Sequence, residues 1–414
     1  MDRQIVIDSA VVDHYISELA KFGAHGETGV WRTVYSPEWV AAQDLVAAWM
    51  EEAGLDVRRD AVGNVWGRLA GSDPGKSIVS GSHIDSQRPG GRFDGALGVI
   101  SALAAVRALR EQCGTPRRTL EVVSLCEEEA SRFPSSNFLG SRAITGALSP
   151  QDADEMIGYD GQTLPQAMNA IGLDAARLPE AQRDDIDIFI ELHIEQGPIL
   201  EQAGVPVAVV TAINSIRHYV VELTGRSDHA GARPMDMRLD PMAGAAEITL
   251  GVIDSALRMG RPAVTTIGRM NVEPGGPAIV PEKVTFTIDA RHPDPEMRLK
   301  LFASHEAWMR AVAERRGLDL KWTITTDLIP CVCDPDLVRT LQEVATEQHI
   351  PFVTMASGAG HDTQRMANIA RVVMLFVQSK GGRSHTPAEY TTTEDAVAGI
   401  RVLAGGLHRL AYGS

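Results

Sequence analysis

The sequence predicts an α/β fold with a mixed, largely parallel sheet covered by helices, into which a ferredoxin-like α+β domain is inserted. Short apolar runs typical of buried strands alternate with segments of helical periodicity over most of the chain. From about residue 212 the strands instead alternate between apolar and polar residues, and the element order becomes β-α-β-β-α-β. We therefore predict a first domain at 1–211 and 330–414, and an inserted domain at 212–329.

The bulk composition is that of a globular protein with a small-molecule function. A length of 414 residues favours two domains, and 44% hydrophobic with 22% charged residues is ordinary. The net charge of -15, from 39 basic and 54 acidic residues, argues against nucleic acid or an anionic membrane as partner. No apolar run approaches ~18 residues and the first ten residues lack a signal pattern, so we expect a cytoplasmic protein.

Four cysteines in a chain of this size without a signal pattern predict thiols rather than a disulfide framework. Cys331 and Cys333 have the wrong spacing for the usual zinc knuckle, and no second half follows. We therefore predict that these two, like Cys113 and Cys126, stay reduced.

The first elements are two helices and a pair of short strands. Residues 9–22 have amphipathic helical periodicity. A second helix is predicted at 37–53, because Pro37 suits its start and Gly54 its end. Strands are predicted at 57–60 and 65–69, on either side of a Gly-Asn turn.

The next strand ends in a loop rich in polar residues and glycine. The apolar pair before Gly81 leads into His83, Asp85 and Asp94, and a helix is predicted at 96–110. In open α/β sheets ligands bind at the carboxyl ends of the strands. This composition suits a hydrated divalent cation, provided that other strand ends supply the missing ligands.

Three adjacent carboxylates follow the next buried strand. The strand at 119–125 leads into Glu127, Glu128 and Glu129. Such a charge cluster in isolation is more often a solvated surface. Its position at the end of an apolar strand favours the other interpretation, because buried carboxylates need a cation to neutralise them.

Two more strands end in a histidine. An alternating strand at 186–192 leads into His193, and the Glu-Gln-Gly-Pro that follows is typical of a turn. The apolar run at 372–377 leads to a glycine-rich loop that carries His385. The final helix is predicted to open at 393–395 with Thr393 as its cap.

The inserted domain is predicted from its alternating strands and two helices. Strands are predicted at 219–223, 263–270, 284–288 and 318–326, and helices at 240–257 and 295–316. A helix at 335–348 resumes the first domain, whereas 150–185 is polar and carries no interpretable motif.

Four strand ends therefore carry three imidazoles and several carboxylates, which is enough for two divalent ions if one carboxylate bridges them. Mixed nitrogen and oxygen ligands favour Zn and also suit Mn, Co or Ni. Such a pair lowers the pKa of a shared water and polarises a carbonyl oxygen, and a neighbouring carboxylate moves the proton to the leaving nitrogen.

Seven motifs resemble the hydantoinase/carbamoylase branch of the M20 metallopeptidase-like amidohydrolases. They occur in order from about residue 28 to 395, which argues against chance agreement: GSHIDSQRPGGRFDGALGV, CEEEASRF, ELHIEQGPILE, GRSDHAGARPM, DARHPD, SGAGHD and GGRSHTPAEYT. The resemblance implies a catalytic α/β domain with an inserted lid and dimerisation domain, and hence a homodimer.

The resemblance also implies the metal ligands. His83 and His193 resemble ligands of one ion each, with Asp94 as the bridge, and Glu129 and His385 resemble the remaining ligands.

In the same motifs Glu128 resembles the general base, whereas Glu127 receives no role. Glu129 rather than Glu128 is taken as the ligand because the carboxylate pair stands just before the small residue Ala130. The carboxylate of Asp85 resembles one that orients a ligand imidazole, although a turn Asp is the simpler interpretation.

Four further positions resemble substrate-handling residues. His229, which alone reads as a surface histidine, resembles the family's oxyanion-stabilising histidine, commonly supplied across the dimer. Arg291 resembles the anchor of the substrate carboxylate, and Gln196 resembles a contact of the ureido group. His361 is either close to the substrate or half of a structural His-Asp pair.

Two positions depart from the family pattern. Ala278 stands where an Asn helps to hold the substrate carboxylate, and the lost hydrogen bond to a charged group is worth roughly 1.5–3 kcal/mol. Gln87 stands where many carbamoylases have Val, which makes this position more similar to β-ureidopropionases.

The implied function is hydrolysis of a ureido C–N bond in an N-carbamoyl-L-amino acid by a metal-bound hydroxide, with release of ammonia, carbon dioxide and the amino acid. The alternatives are an allantoate amidohydrolase, a β-ureidopropionase and an N-acyl amino acid or peptide hydrolase. An inactive metal-binding sensor is disfavoured because Glu128 and all the ligands are present.

Overall fold

A computed structural model describes residues 5–413, which form two compact units. Among these residues the first unit comprises 5–211, 333–355 and 359–413, and the second comprises Ala212–Val332 with Ala356–Gly358. The chain thus enters the second unit at Ala212 and returns to the first at Cys333.

The elements before the second unit are eight strands, seven α-helices and a 3-10 helix at Ala175–Ala181. The helices are α1 (Ser9–Leu19), α2 (Pro37–Glu52), α3 (Ala96–Cys113), α4 (Leu139–Ile144), α5 (Pro150–Glu155), α6 (Leu164–Ala170) and α7 (Ile199–Ala203). The strands are β1 (Ala24–His25), β2 (Gly29–Val30), β3 (Asp56–Arg59), β4 (Val65–Leu69), β5 (Ser77–His83), β6 (Leu120–Leu125), β7 (Ile186–Ile194) and β8 (Val207–Ile213).

The second unit contains two long helices, a 3-10 helix at Met235–Met237 and eight strands. The helices are α8 (Pro241–Met259) and α9 (Pro295–Arg316). The strands are β9 (Ser215–Thr224), β10 (Asp228–His229), β11 (Val264–Thr266), β12 (Met270–Glu273), β13 (Ile279–Val280), β14 (Lys283–His292), β15 (Asp319–Leu328) and β16 (Cys331–Val332).

The remaining elements are α10 (Pro335–Glu347), β17 (Phe352–Ser357), α11 (Thr363–Met366), β18 (Arg371–Val377), a 3-10 helix at Lys380–Gly382 and α12 (Thr393–Tyr412).

The sheet of the first unit has a parallel centre and antiparallel edges. Its strands follow the order β8-β18-β7-β5-β6-β4-β3, with β17 also paired to β8. The neighbours β18, β7, β5 and β6 are parallel, whereas β8, β4 and β3 run antiparallel to their neighbours. This mixed, largely parallel sheet confirms the predicted fold class.

Burial explains why the central strands read as apolar runs. Every residue of β5 and β6 is buried, and so are most residues of α3. A Cβ on Gly98 of α3 would lie 2.4 Å from the carbonyl oxygen of Leu192 in β7, so the helix needs a glycine there to approach the sheet.

The parallel strands bring the chemically active loops to one edge of the sheet. β5 ends at His83, β6 at Leu125, β7 just after His193, and β18 at Val377. The loops that carry the candidate ligands therefore leave the sheet at the same carboxyl edge.

The second unit has the predicted ferredoxin-like arrangement. Its antiparallel sheet follows the order β11-β14-β9-β15, with β12 also paired to β14. Alternate residues of β9 and β14, such as Val221 and Phe286, form one apolar core with Ile248 of α8 and Met309 of α9. Both helices therefore cover the same face of the sheet.

Two local predictions are corrected. The cap of α12 is Thr392 rather than Thr393, because the Thr392 backbone is extended and its side chain accepts the N–H of Asp395 at 3.1 Å. The strand β8 was not predicted, and the predicted domain boundary at 212 falls inside it.

Within 5–413 no helix combines the length and the apolar character that crossing a membrane requires.

Candidate metal centre

Two histidines end neighbouring parallel strands with their rings already oriented. His83 and His193 are each 1% exposed. Nδ1 of His83 lies 3.0 Å from the carbonyl oxygen of Asp85, and Nδ1 of His193 lies 3.0 Å from that of Ile194. When each Nδ1–H donates to its carbonyl, Nε2 is left as the lone-pair donor that a metal requires.

Asp94 lies between two groups of potential ligands. Its Oδ1 is 3.2 Å from Nε2 of His193 and 3.7 Å from Nε2 of His83. Its Oδ2 is 3.5 Å from Nε2 of His385, which in turn lies 3.3 Å from Oε2 of Glu129. The ligand atoms of His83, Asp94 and His193 lie within 4.8 Å of one another, and so do those of Asp94, Glu129 and His385.

The resemblance implies that His83 and His193 are ligands of one ion each, and that assignment stays a prediction, but the structure brings both into one candidate group with Asp94. Both imidazoles face the same oxygen of Asp94, because β5 and β7 are adjacent strands. His385, which follows β18, approaches Oδ2 of Asp94, and Glu129, which follows β6, lies beside His385. The order of the strands decides this division, and the sequence does not contain that order.

The centre concentrates negative charge in a buried place. Burial, together with the charges of Glu129, Asp362 and Asp94, raises the pKa of Glu128 well above its usual range. Burial and Asp94 likewise raise the pKa of Glu129. Burial acts to raise the pKa of Asp94, but hydrogen bonding and charge from His193 hold it well below its ordinary value. Buried carboxylates beside imidazole nitrogens are the donor set of a divalent cation, so these residues fit one.

Glu128 lies beside the first ligand group, and its role as general base stays a prediction. Its Oε2 lies 3.7 Å from Nε2 of His83, and its side chain is 10% exposed. It therefore borders the first ligand group without being one of the residues that form it.

Glu127, which had no predicted role, fixes the loop after β6. Its Oε1 accepts the N–H groups of Arg132 at 2.9 Å and Phe133 at 2.8 Å. The residue has a positive φ of 52° and is fully buried. Burial and the nearby charge of Asp85 raise the pKa of Glu127 to about 8.

Asp85 orients His83 through its backbone rather than through its carboxylate, which corrects the prediction. The carboxylate Oδ1 lies 3.7 Å from Nδ1 of His83, beyond hydrogen-bond distance, whereas the Asp85 carbonyl lies at 3.0 Å. The other oxygen, Oδ2, accepts the N–H of Glu129 at 3.2 Å. The Asp85 side chain therefore holds the loop that carries the carboxylate pair.

Two glutamines bind the carboxylates of the centre. Nε2 of Gln196 donates to Oδ2 of Asp94 at 2.8 Å, and Nε2 of Gln87 donates to Oε2 of Glu129 at 2.9 Å. A cleft of about 530 Å³ opens beside this edge, and its lining residues are Gln196, Ala359, Gly382, Arg383, Ser384, His385 and Thr386.

His361 packs behind the centre. The centroid of its ring lies 4.6 Å from that of His193 at an interplanar angle of 64°, and the residue is 1% exposed. Asp362 accepts the hydroxyl of Ser141 at 2.5 Å. A direct contact of His361 with substrate stays a prediction.

His229 and Arg291 lie in the second unit. Nδ1 of His229 accepts the N–H groups of Gly231 at 3.0 Å and Ala232 at 3.1 Å, and the residue is exposed. The carbonyl of Ala278 accepts the N–H of Ala230, the residue next to His229.

The guanidinium of Arg291 is engaged within the second unit. Its Nε and Nη2 donate to both oxygens of Asp289, at 2.9 and 2.8 Å, and Nη1 donates to the carbonyl of Gly358 at 2.9 Å.

A family model described as Peptidase family M20/M25/M40 matches residues 79–409. The chain belongs to this family.

Characterised members of the M20 family match this chain along nearly its whole length. It is 39% identical to an allantoate amidohydrolase of Escherichia coli, over 97% of this chain and 98% of the relative. It is 40% identical to an N-carbamoyl-L-amino-acid amidohydrolase of Paenarthrobacter aurescens, over 95% of each chain. A hydantoinase/carbamoylase family amidase from Burkholderia multivorans has the same fold, with a TM-score of 0.93 and 33% identity over 100% of both chains. The resemblance to the hydantoinase/carbamoylase branch is confirmed, and this M20 family hydrolase is metal-dependent.

Three residues of the centre in this M20 hydrolase were missed from the sequence. Glu191 is fully buried below His193, where it accepts the hydroxyls of Ser82 and Thr363 at 2.7 and 2.6 Å. Glu191 stands two residues before His193 in β7, and residues two apart in a strand share a face. That spacing is the sequence signal by which Glu191 could have been found. Ser384 and Glu389 flank His385 within one motif, but nothing in the motif shows what they contact.

Proposed function

We propose that this chain hydrolyses the ureido C–N bond of an N-carbamoyl-L-amino acid, with release of ammonia, carbon dioxide and the amino acid. The proposed centre holds two divalent ions, with Zn favoured and Mn, Co or Ni as alternatives. The observation that carries the proposal is the position of Asp94 between two ligand groups, with Glu128 Oε2 only 3.7 Å from His83. That arrangement provides a shared carboxylate and, beside it, a carboxylate left over for proton transfer.

Glu128 is the proposed general base. Bound divalent ions would polarise the ureido carbonyl and acidify a water. Glu128 would take the proton from that water and deliver it to the leaving nitrogen, which needs a carboxylate that borders the centre without ligating. Glu129 and His385 form the other ligand group with Asp94. In this proposal Glu129 is therefore a metal ligand and the adjacent Glu128 is the base.

We propose that Gln196 recognises the ureido group. Its Nε2 donates to Asp94, and its Oε1 is buried without a hydrogen-bond partner among residues 5–413. A buried acceptor without a donor costs free energy, so a ureido N–H in the cleft would satisfy it. The amide of Gln196 thereby supports a substrate that carries N–H groups on both sides of its carbonyl.

The tautomer of His229 suits the stabilisation of an oxyanion. Because Nδ1 accepts two backbone N–H groups, the proton of the neutral ring is on Nε2. An N–H donor is what the tetrahedral oxyanion of the reaction requires, and we propose that His229 supplies it.

We propose that Arg291 holds the carboxylate of the substrate. Its contacts with Asp289 and Gly358 leave one N–H on each terminal nitrogen for a ligand. The bidentate contact with Asp289 also fixes the plane of the guanidinium, which lowers the entropy lost on binding. Ala278 provides no side-chain amide at the family's Asn position, so Arg291 carries more of the recognition here.

The proposed assembly is a homodimer through the second unit. This unit exposes large apolar side chains that a partner surface would cover. They include Met235, Met237, Met242, Leu250 and Leu257. Sedimentation analysis tests the proposal, and a monomer at micromolar concentration would contradict it.

Hydrolysis of allantoate is the second candidate. The relatives named allantoate amidohydrolase, at 39% and 38% identity, match as well as those named for N-carbamoyl-L-amino acids, at 40% and 38%. Allantoate is also a ureido acid, so the same ligands and base would serve it.

Ammonia release from metal-reconstituted protein distinguishes the candidates. The panel contains N-carbamoyl-L-amino acids and their D-isomers, allantoate, 3-ureidopropionate, N-acetyl-L-amino acids and a dipeptide, with primary-amine detection for the last two. The highest kcat/KM is expected for an N-carbamoyl-L-amino acid. Activity on the dipeptide with none on any ureido compound would refute the proposal.

A further inference from the structure

Glu389 is a buried carboxylate in the loop between His385 and α12. It is 3% exposed, and the roles proposed above do not use it. Its hydrogen-bond partners lie in two separate segments, the loop before α3 and the loop after β18. These two segments carry Asp94 and His385.

The first contact fixes the backbone of Asp94. Oε1 of Glu389 accepts the N–H groups of Phe93 and Asp94, each at 2.9 Å. A Cβ on Gly91 would lie 2.2 Å from the same oxygen, so the loop approaches Glu389 closely only because residue 91 is glycine. The carboxyl group of Glu389 therefore holds the backbone of the residue that carries the shared carboxylate.

The second contact runs through Ser384 to the side chain of Asp94. The Ser384 hydroxyl lies 2.6 Å from Oδ2 of Asp94 and 3.2 Å from Oε2 of Glu389. Its single proton serves the shorter contact, so Ser384 donates to Asp94 while it packs against Glu389. The same Asp94 oxygen is the one that faces His385.

His385 depends on its loop more than the other histidines depend on theirs. Its side chain is 50% exposed, and its backbone has a positive φ of 55°, which is unfavourable for a residue with a Cβ. His83 and His193 are instead fully buried at the ends of strands. The group of Asp94, Glu129 and His385 therefore needs support that the group of His83, Asp94 and His193 receives from the sheet.

We propose that Glu389 is a positioning residue that fixes Asp94 and His385 relative to each other, and thereby sets the metal affinity of the Asp94–Glu129–His385 group in preference to the other group. The inference rests on the proposed pair of ions but not on the identity of the substrate. Partners of this kind behind metal ligands are typically worth 10–100-fold in metal affinity.

The test is a titration of the metal-depleted full-length protein with Co²⁺, followed by calorimetry and by visible absorption, without substrate. His385→Ala and His83→Ala assign each binding event to its ligand group. Glu389→Ala is expected to weaken the His385-dependent event about 10–100-fold and to leave the other unchanged. Glu389→Gln keeps an oxygen for the two N–H groups, so it is expected to recover part of that affinity.

Asp60→Asn is the matched control, because Asp60 is another buried carboxylate that accepts two loop N–H groups, those of Val62 and Asn64. It is expected to lower the unfolding temperature without changing either Co²⁺ event. If Glu389→Ala does not fold, Glu389→Gln alone is compared with this control.

Three outcomes overturn the inference. The first is that both binding events are unchanged in the Glu389 variants. The second is that both events are weakened equally. The third is a wild-type protein that binds a single ion, which would also refute the proposed pair of ions. Ureido hydrolysis is measured separately, and its presence or absence does not depend on the first two outcomes.

Discussion

Exchange of Glu128 for Gln tests the central assignment, because it removes the proposed base and conserves the shape of the side chain. The amide cannot accept a proton at neutral pH, but it fills the same volume beside His83. A positioned general base contributes 10²–10⁴-fold, which corresponds to about 3–5 kcal/mol of transition-state stabilisation. We expect kcat to fall by that factor.

The same exchange is expected to leave metal binding intact. Glu128 is outside both ligand groups, so two ions per chain should remain. Burial and the charges of Glu129, Asp362 and Asp94 raise the pKa of Glu128 because they disfavour its ionised form, and a neutral amide does not carry that cost. The metal-free Glu128→Gln protein should therefore unfold at a temperature no lower than that of the wild type.

Glu129→Gln is the matched control, because it changes the adjacent residue in the same way. We expect it to lose the ion of the Asp94–Glu129–His385 group. The measurements are steady-state ammonia release and metal content by mass spectrometry. Retention of more than a tenth of the wild-type kcat in Glu128→Gln, or loss of an ion from it, would refute the division between base and ligand.

Four further results are expected. His229→Ala should lower kcat by about 10²–10³-fold with unchanged metal content, measured by ammonia release, since it removes one donor to the oxyanion; an unchanged kcat would exclude that role. Phe286→Ala should destabilise the second unit by about 3–5 kcal/mol in urea unfolding, because Phe286 is fully buried; a loss below about 1 kcal/mol would contradict the packing. Burial lowers the pKa of His305 to about 4, so the unfolded chain takes up a proton that the folded chain does not. Stability should fall by up to about 3 kcal/mol from about pH 6.5 to about pH 4, and His305→Leu should flatten this dependence in acid unfolding curves. Chelation should lower the unfolding temperature and added Zn²⁺ should restore it, because the ions bind only the folded centre; equal melting curves would count against the metal centre.

The fold class was predictable because its signals are local. Buried parallel strands read as apolar runs, and the half-exposed strands of the second unit read as alternation, so both units were recognised. β8 was missed although all but one of its residues are buried. Its partners β18 and β17 come from far along the chain, and the sequence gives no local sign of that pairing.

The candidate residues were predictable to a similar degree. His83 and His193 lie at the ends of strands and the Glu128–Glu129 pair lies just beyond one, so their place at the sheet edge follows from parallel topology. Asp85 shows the limit, since proximity in sequence suggested a carboxylate contact and the structure shows a carbonyl contact. Side-chain direction in a loop depends on backbone dihedral angles that residue types do not encode one by one.

The sequence by itself determined which side chains are available and that they leave the strands at one edge, because strand direction and residue order are properties of the chain. Only the tertiary structure decided that His83 and His193 share one oxygen of Asp94 while His385, with Glu129 beside it, approaches the other. The order in which the strands pair sets that division, and pairing is a contact between distant segments. The support of Asp94 by Glu389 arises in the same way, since these residues meet only after the sheet has formed.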